Sequence, residues 1–274
     1  MKKVFVFIGL VSLIFLLGAC GSDGASGDGG SEAGVRTIEV AVPPAAKPLS
    51  YTENGELTGY EVEILRKVDE KLQDYEFHIV GVGDSAAEVG LDTGKYDLIA
   101  QGLFLSEERE EKYLIPSESN GASLMKIYTN EENKDIETLE DLVGKNISPP
   151  NPSGGVFNFL TEYNEENPDN QIEFKTSDSG ISYADRLKEV ESGKYDALVL
   201  PSNLGQNEII EQAGLKIHTT EPVKIFPTYF LIHKSEENEA LNEEISKALA
   251  ELKEDGTLSE LSVKYYGEDV FQYE

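Results

Sequence analysis

The chain has 274 residues, enough for two ordinary domains, with 52 acidic side chains against 23 basic ones and a formal charge of −29. That balance repels nucleic acid and anionic membrane surfaces, and so excludes phosphate-backbone binding as a function. One cysteine and no tryptophan exclude an intramolecular disulfide and a cysteine-rich metal centre, and nothing in the sequence asks for a cofactor.

Residues 1–19 read as a secretory signal peptide: basic Met1-Lys2-Lys3, an apolar run from Val4 to Leu17, then Gly18-Ala19 before Cys20. The run is too short to argue for a mature transmembrane helix. Its ending, Leu17-Gly18-Ala19-Cys20, resembles the lipobox of bacterial lipoproteins, in which the cysteine is lipidated and becomes the first residue. The resemblance implies lipid attachment at Cys20, palmitate included, with the membrane reached only through the anchor. The alternative is an ordinary secretory signal or membrane anchor with an idle cysteine. Residues 20–35 follow as the lipidated cysteine and a flexible tether, in which Gly21 to Gly34 holds nothing able to build a core.

Thr37 to Val42 alternates and meets Pro43-Pro44, which predicts a strand. Pro48 to Leu57 reads as a loop with a turn at Asn54-Gly55. Tyr60 to Leu72 is a helix with Ile64, Leu65, Val68 and Leu72 on one face and Glu61, Arg66, Lys67 and Glu70 elsewhere. Strands follow at Phe77–Val80, Leu98–Ala100, Ser123–Tyr128, Lys145–Ser148, Ile172–Phe174, Ala197–Leu200 and Thr228–His233. Helices are predicted over Glu137–Leu142, Val156–Tyr163, Tyr183–Val190, the periodic stretch Leu241–Leu252 stopped at Gly256, and Leu258–Tyr266. Strands alternating with helices predict parallel-rich α/β sheets.

One unit is written twice. Gly94-Lys95-Tyr96-Asp97 returns as Gly193-Lys194-Tyr195-Asp196, each copy after an amphipathic helix and before an apolar strand. A helix stops well at Gly, which accepts positive φ without a Cβ clash. A repeated αβ unit predicts two similar lobes. In such sheets ligands bind outside the carboxyl ends of strands.

After the first copy comes Gly102 to Arg109. Ser106 reads as a helix N-cap, which puts Arg109 in the opening turn, where the macrodipole disfavours a cation. A guanidinium fork fits a carboxylate bidentately. The alternative is a solvated Arg109 paired with Glu108, Glu110 or Glu111. The second loop, Pro149 to Gly155, offers Ser153 and the N–H groups of Gly154 and Gly155 to a polar ligand group, or is simply a rigid capped turn.

The stretch from Gly55-Glu56-Leu57-Thr58-Gly59-Tyr60-Glu61-Val62, through both Gly-Lys-Tyr-Asp copies, Ser106-Glu107-Glu108-Arg109 and Leu139 to Lys145, to Leu252–Leu258 and Tyr265-Tyr266-Gly267, resembles the amino-acid-binding solute-binding proteins of bacterial ABC importers. The likeness runs over about residues 36 to 268. It implies a type II, periplasmic-binding-protein-like fold with two crossover strands. Lobe 1 would comprise residues 36–126 and 225–274, lobe 2 residues 127–224, and the lobes would close by a hinge near Tyr128–Asn130 and Thr220–Pro227. It implies a monomeric extracytoplasmic receptor that holds a small carboxylate, most naturally an amino acid, and hands it to a membrane permease.

It also implies that Arg109 grips the ligand α-carboxylate, that Gly102 offers a backbone contact, and that Ser153 contributes from the second lobe. Three positions depart from the pattern. Phe104 stands where a Ser or Thr usually binds the carboxylate. Pro201 stands where an Asp usually meets the α-amino group. Asp84 stands where an apolar residue usually covers the side chain, and either supplies the missing acid or caps a helix. A ligand sensor and a dehydratase-like enzyme on the same fold are the alternatives. His78, His218 and His233 are scattered, and no nucleophile or phosphate motif supports an enzyme.

Overall fold

The computed structural model describes residues 34–152, 154–177 and 180–273. The signal, Cys20 and most of the tether lie outside them, as does Ser153. The described elements run β1 (Arg36–Val42), a small ribbon of β2 (Ala45–Ala46), β3 (Ser50–Glu53) and β4 (Glu56–Thr58), then α1 (Tyr60–Asp69), β5 (Tyr75–Gly81), α2 (Asp84–Asp92), β6 (Leu98–Phe104), α3 (Glu107–Lys112), β7 (Tyr113–Leu114) and β8 (Gly121–Asn130). A single 3-10 turn at Glu140–Leu142 leads to α4 (Gly155–Glu166), α5 (Tyr183–Glu191), β9 (Ala197–Pro201), α6 (Gln206–Ala213), β10 (Ile217–Thr219), β11 (Lys224–His233), α7 (Glu236–Glu254) and α8 (Thr257–Tyr266).

The main sheet runs β10-β8-β11-β6-β1-β5, with β9 also paired to β8 and β7 to β11. β1 is parallel to both β5 and β6, as expected of an α/β unit. β11 returns antiparallel beside β6. β8 pairs antiparallel with β9 and β10. In the second half the only parallel link among the described residues is the bridge Ile147 to Ala197. The strands expected at Lys145–Ser148 and Ile172–Phe174 therefore reduce to that bridge and to extended chain. Both stretches are short, and apolar content alone does not supply a partner ladder. Glu137–Leu142 shortens likewise to its one 3-10 turn.

β8 and β11 explain the two lobes. Each is ten residues long. They pair with each other over Gly121–Met125 and Lys224–Thr228, and beyond that β8 turns to β9 and β11 to β6. Ala122 and Leu124 of β8 enter the core built by β1, β6, β11, α1, α7 and α8, where Val40, Ile64, Leu65, Phe230, Ile245 and Leu249 are fully buried. Met125 and Ile127 enter a second core with Ile136, Leu142, Leu160 and Val199. A fully buried Leu or Ile contributes about 1.5–3 kcal/mol, so each half has enough apolar burial to hold its own layers. The opposite sheet faces are covered by α2, through Ala87 and Leu91 on Ala41 and Ile99, and by α5, through Leu187 and Val190 on Leu198.

Both copies of the repeat do the same structural work. Gly94 (φ 70°) and Gly193 (φ 75°) are left-handed, and the next residue closes the helix end, Lys95 N to Gly90 O and Lys194 N to Glu189 O. Asp97 then donates its N–H to Glu39 O at 2.8 Å and accepts the Glu39 N–H on its carboxylate at 3.0 Å. Asp196 does the same with Asn146, both bonds at 2.8 Å. Each Asp thereby registers its strand against its neighbour.

Candidate functional site

β6 carries the first set of residues. Its end, Gly102 to Phe104, opens toward α3, and Ser106 caps that helix by accepting the Arg109 N–H at 3.3 Å, as the sequence predicts. The Arg109 guanidinium donates Nη1–H to the Phe104 carbonyl at 2.5 Å. Among the described residues it makes no ion pair, although Glu107, Glu108, Glu110 and Glu111 surround it in sequence. The pairing with Glu108, Glu110 or Glu111 that the sequence allows is therefore not formed among the described residues. The guanidinium is instead turned back along the strand end, with most of its donor fork uncommitted to carboxylates.

Phe104 is 40% exposed. Its ring lies 5.2 Å from that of Phe226 on β11, and Phe226 meets Phe159 of α4 edge-on at 6.1 Å. A Cβ on Gly155, the first residue of α4, would sit 4.0 Å from the Phe104 ring tip. Phe104 thus spans from the first half of the molecule to the second. Tilted aromatic pairs of this kind contribute about 0.5–1.5 kcal/mol beyond their burial. The ring occupies the position where a hydroxyl was the expected carboxylate contact.

Gly102 has φ 62°, and a Cβ there would meet Leu49 Cδ1 at 3.0 Å and Asn203 Nδ2 at 3.7 Å; only glycine fits without strain. Its N–H is held by both carboxylate oxygens of Glu61, at 3.0 and 3.1 Å. Glu61 was read as lying off the apolar face of α1, yet it is 1% exposed. Burial pushes its carboxyl up to about 7, against the opposing pull of the Gly102 and Asn120 hydrogen bonds. Helical spacing does place it there, since Ile64, Leu65 and Val68 stand three, four and seven residues further on; only its charge argued for a different face.

Asp84 is the first residue of α2, behind Gly83 as N-cap, so it is not itself the cap. It is exposed, and its carbonyl accepts Gln101 Nε2 at 3.4 Å, which sets it beside the end of β6. In the second loop, the Gly154 N–H is bonded to Asn151 O at 3.0 Å, which is the capped-turn alternative for that group rather than a ligand contact. Arg186 Nη1 holds the Pro149 carbonyl.

After β9, where Pro201 replaces an acid, the chain supplies Ser202 and Asn203, both buried. Asn203 Oδ1 pairs with Ser123 Oγ at 3.3 Å, and its amide nitrogen faces Gly102. The sequence reading stopped at Pro201 and missed this polar residue two places further on. The halves also meet through Lys47 Nζ and Glu208 Oε1 at 3.0 Å, and through Asn207 Nδ2, which donates to Tyr266 O at 2.8 Å. A groove of about 540 Å³ lies there, walled by Lys47, Tyr51, Glu208 and Tyr265. The Gly102–Arg109 segment does not line it.

Two α/β halves joined by two long strands, with polar groups facing each other at the strand ends, have the form of a two-lobed solute receptor. The chain belongs to the bacterial extracellular solute-binding proteins, family 3, whose model matches residues 38–268. It is 32% identical over 270 residues to the L-cystine-binding protein TcyK of Bacillus subtilis, covering 98% of this chain and 97% of that one. It is 29% identical over 272 residues to the probable amino-acid-binding protein YxeM of the same organism, covering 98% and 97%. The crystal structure of the probable amino-acid ABC transporter extracellular-binding protein ytmK of B. subtilis superposes with a TM-score of 0.72 at 29% identity, over 86% of this chain and 99% of that one. These relatives are binding proteins of ABC transporters, not enzymes, and the type II two-lobed fold is theirs too. The chain is accordingly an extracytoplasmic solute-binding protein of the amino-acid importer kind.

Proposed function

We propose that this receptor binds an amino acid carrying a free α-carboxylate, with L-cystine the first candidate, and delivers it as a lipid-anchored monomer to an ABC permease. The observation that carries the reading is Arg109: a guanidinium at the carboxyl end of β6, held on the Phe104 carbonyl, with no carboxylate partner among the described residues of a strongly acidic chain. A ligand carboxylate supplies that partner. Asn203 from the second lobe, Gly102 and Asp84 beside the β6 end, Phe104 above, and Ser153 before α4 complete the contacts. Lobe 1 comprises residues 36–126 and 225–274, lobe 2 residues 127–224, and closure bends the chain near Tyr128–Asn130 and Thr220–Pro227. The candidate ligand rests on the relatives named for L-cystine, and attachment of lipid at Cys20 on the lipobox-like sequence.

Isothermal titration with L-cystine and a panel of other amino acids tests the ligand. Heat and a thermal shift with at least one of them, both abolished in Arg109→Ala, are expected. No response to any amino acid at millimolar concentration would refute the reading. Mass analysis of the mature N-terminus tests the anchor: a lipidated Cys20 is expected, and release of Cys20→Ser into the medium.

A further inference from the structure

The binding reading leaves one buried ionisable group without a task. Glu61 stands in the first turn of α1 and is 1% exposed. Both its oxygens accept the Gly102 N–H, and Oε1 also accepts Asn120 Nδ2 at 3.0 Å. Asn120 is fully buried at the root of β8, and its own N–H donates to Thr228 O on β11 at 2.9 Å. Its carbonyl accepts the Tyr60 hydroxyl at 2.8 Å. One carboxylate therefore connects the strand-end residue that faces Asn203 to the start of β8 and, through Asn120, to the middle of β11.

We propose that Glu61 is a positioning residue of the binding site, which fixes Gly102 in its left-handed turn and ties that turn to the start of β8 and the middle of β11. The inference rests on the binding reading above for the place of the ligand, but the link from Glu61 to Gly102 exists without ligand. The bonds Glu61 makes are charge-assisted while it is ionised, and such bonds are about twice as strong as neutral ones. A protonated Glu61 must turn one oxygen from acceptor to donor. The structure holds the acceptor for that proton: Asn120 Oδ1 is buried and, among the described residues, without a hydrogen-bond partner, and a half-turn of the Asn120 amide brings it to the carboxyl. Protonation then leaves the Gly102 N–H on a single neutral oxygen and loosens the turn. The titratable groups facing Glu61 are phenols, Tyr60 on its own helix and Tyr266 on α8, whose hydroxyl is raised by burial, Tyr60 and Glu61. Among the described residues no lysine, arginine or histidine pairs with Glu61. Glu61 itself titrates near neutrality, so the site tightens as pH rises through that range.

Amide exchange of residues 98–104, corrected for intrinsic rates, reads the link directly in the unliganded protein. Protection of the Gly102 amide is expected to fall several-fold in wild type from pH 7.5 to 5.5, to fall about tenfold at both pH values in Glu61→Ala, and to be independent of pH in Glu61→Gln. The Gln side chain accepts from Gly102 and donates to the turned Asn120, so it mimics the neutral carboxyl and stays foldable where Ala fails. L-cystine titrations on the same proteins should show affinity rising with pH in wild type beyond any slope in Glu61→Gln. Unchanged Gly102 protection in a folded Glu61→Ala, or the same pH profile in Glu61→Gln and wild type, overturns the proposal. If L-cystine fails to bind wild type, the ligand assignment falls and the exchange data alone decide the role of Glu61.

Discussion

Asp97 and Glu39 exchange two hydrogen bonds, one from the Asp97 N–H to the Glu39 carbonyl and one from the Glu39 N–H to the Asp97 carboxylate, and Asp196 repeats both with Asn146. The repeated Gly-Lys-Tyr-Asp is thus a registration device, used once per lobe. It aims the residues that follow at the cleft without touching a ligand. Asp97→Ala removes the acceptor from a partly buried N–H and the partner of Arg36, 2.7 Å away. It should lower unfolding stability by about 1–3 kcal/mol, and Asp196→Ala, at an exposed pair, by less. Urea melts measure both, and L-cystine affinity at 25 °C should be unaltered in each.

Arg109→Lys keeps the charge and loses the planar fork. Affinity for an α-carboxylate ligand should drop by about 1.5–3 kcal/mol, or roughly 10- to 150-fold, with no change in melting temperature of the free protein. Calorimetric titration beside a thermal melt separates the two. Equal affinity in Arg109→Lys and wild type would mean that the guanidinium holds no carboxylate.

Phe104→Ser restores a hydroxyl at the strand end and removes the ring that lies on Phe226. The variant should lose about 0.5–1.5 kcal/mol of aromatic contact and shift ligand preference toward small polar amino acids. Competition between L-cystine and L-serine, compared with wild type, reads the shift.

Glu61 also sets a pH dependence of stability. Its folded pKa, about 7, lies above its ordinary 4.5, so the folded state holds a proton that the unfolded chain releases between those values. Stability contributed by this group is therefore full below pH 4.5 and is lost as pH rises to about 7, by about 3 kcal/mol in all. The difference in unfolding free energy between wild type and Glu61→Gln, followed from pH 4.5 to 8, should fall by that amount; a flat difference would show that the carboxyl titrates normally.

The Lys47–Glu208 pair is exposed on both sides. Exposed ion pairs contribute about 0–1 kcal/mol, so Lys47→Ala should weaken ligand binding less than about fivefold, and the remaining effect should vanish in 0.5 M salt. Titrations at low and high salt check this.

What the sequence determined by itself was everything that local pattern controls. Alternation and helical period placed β1, α1, α5, α7 and α8. Ser106 announced its cap, and glycine at positions 94 and 193 announced the two helix ends, because φ preference and capping act within a few residues. The family patterns, spread in order along the chain, were legible for the same reason. Tertiary structure decided the rest. The expected strand at Ile172–Phe174 found no ladder, since pairing depends on a distant edge. Phe104 met Phe226 across more than a hundred residues, and Asn203 came to face Gly102 only because β8 and β11 bring the lobes together. Glu61 is the sharpest case. Its spacing to Ile64, Leu65 and Val68 puts it on the apolar stripe of α1 while its charge reads as solvent-facing, and only the partners Gly102 and Asn120 make it buried, bonded and titratable near neutrality.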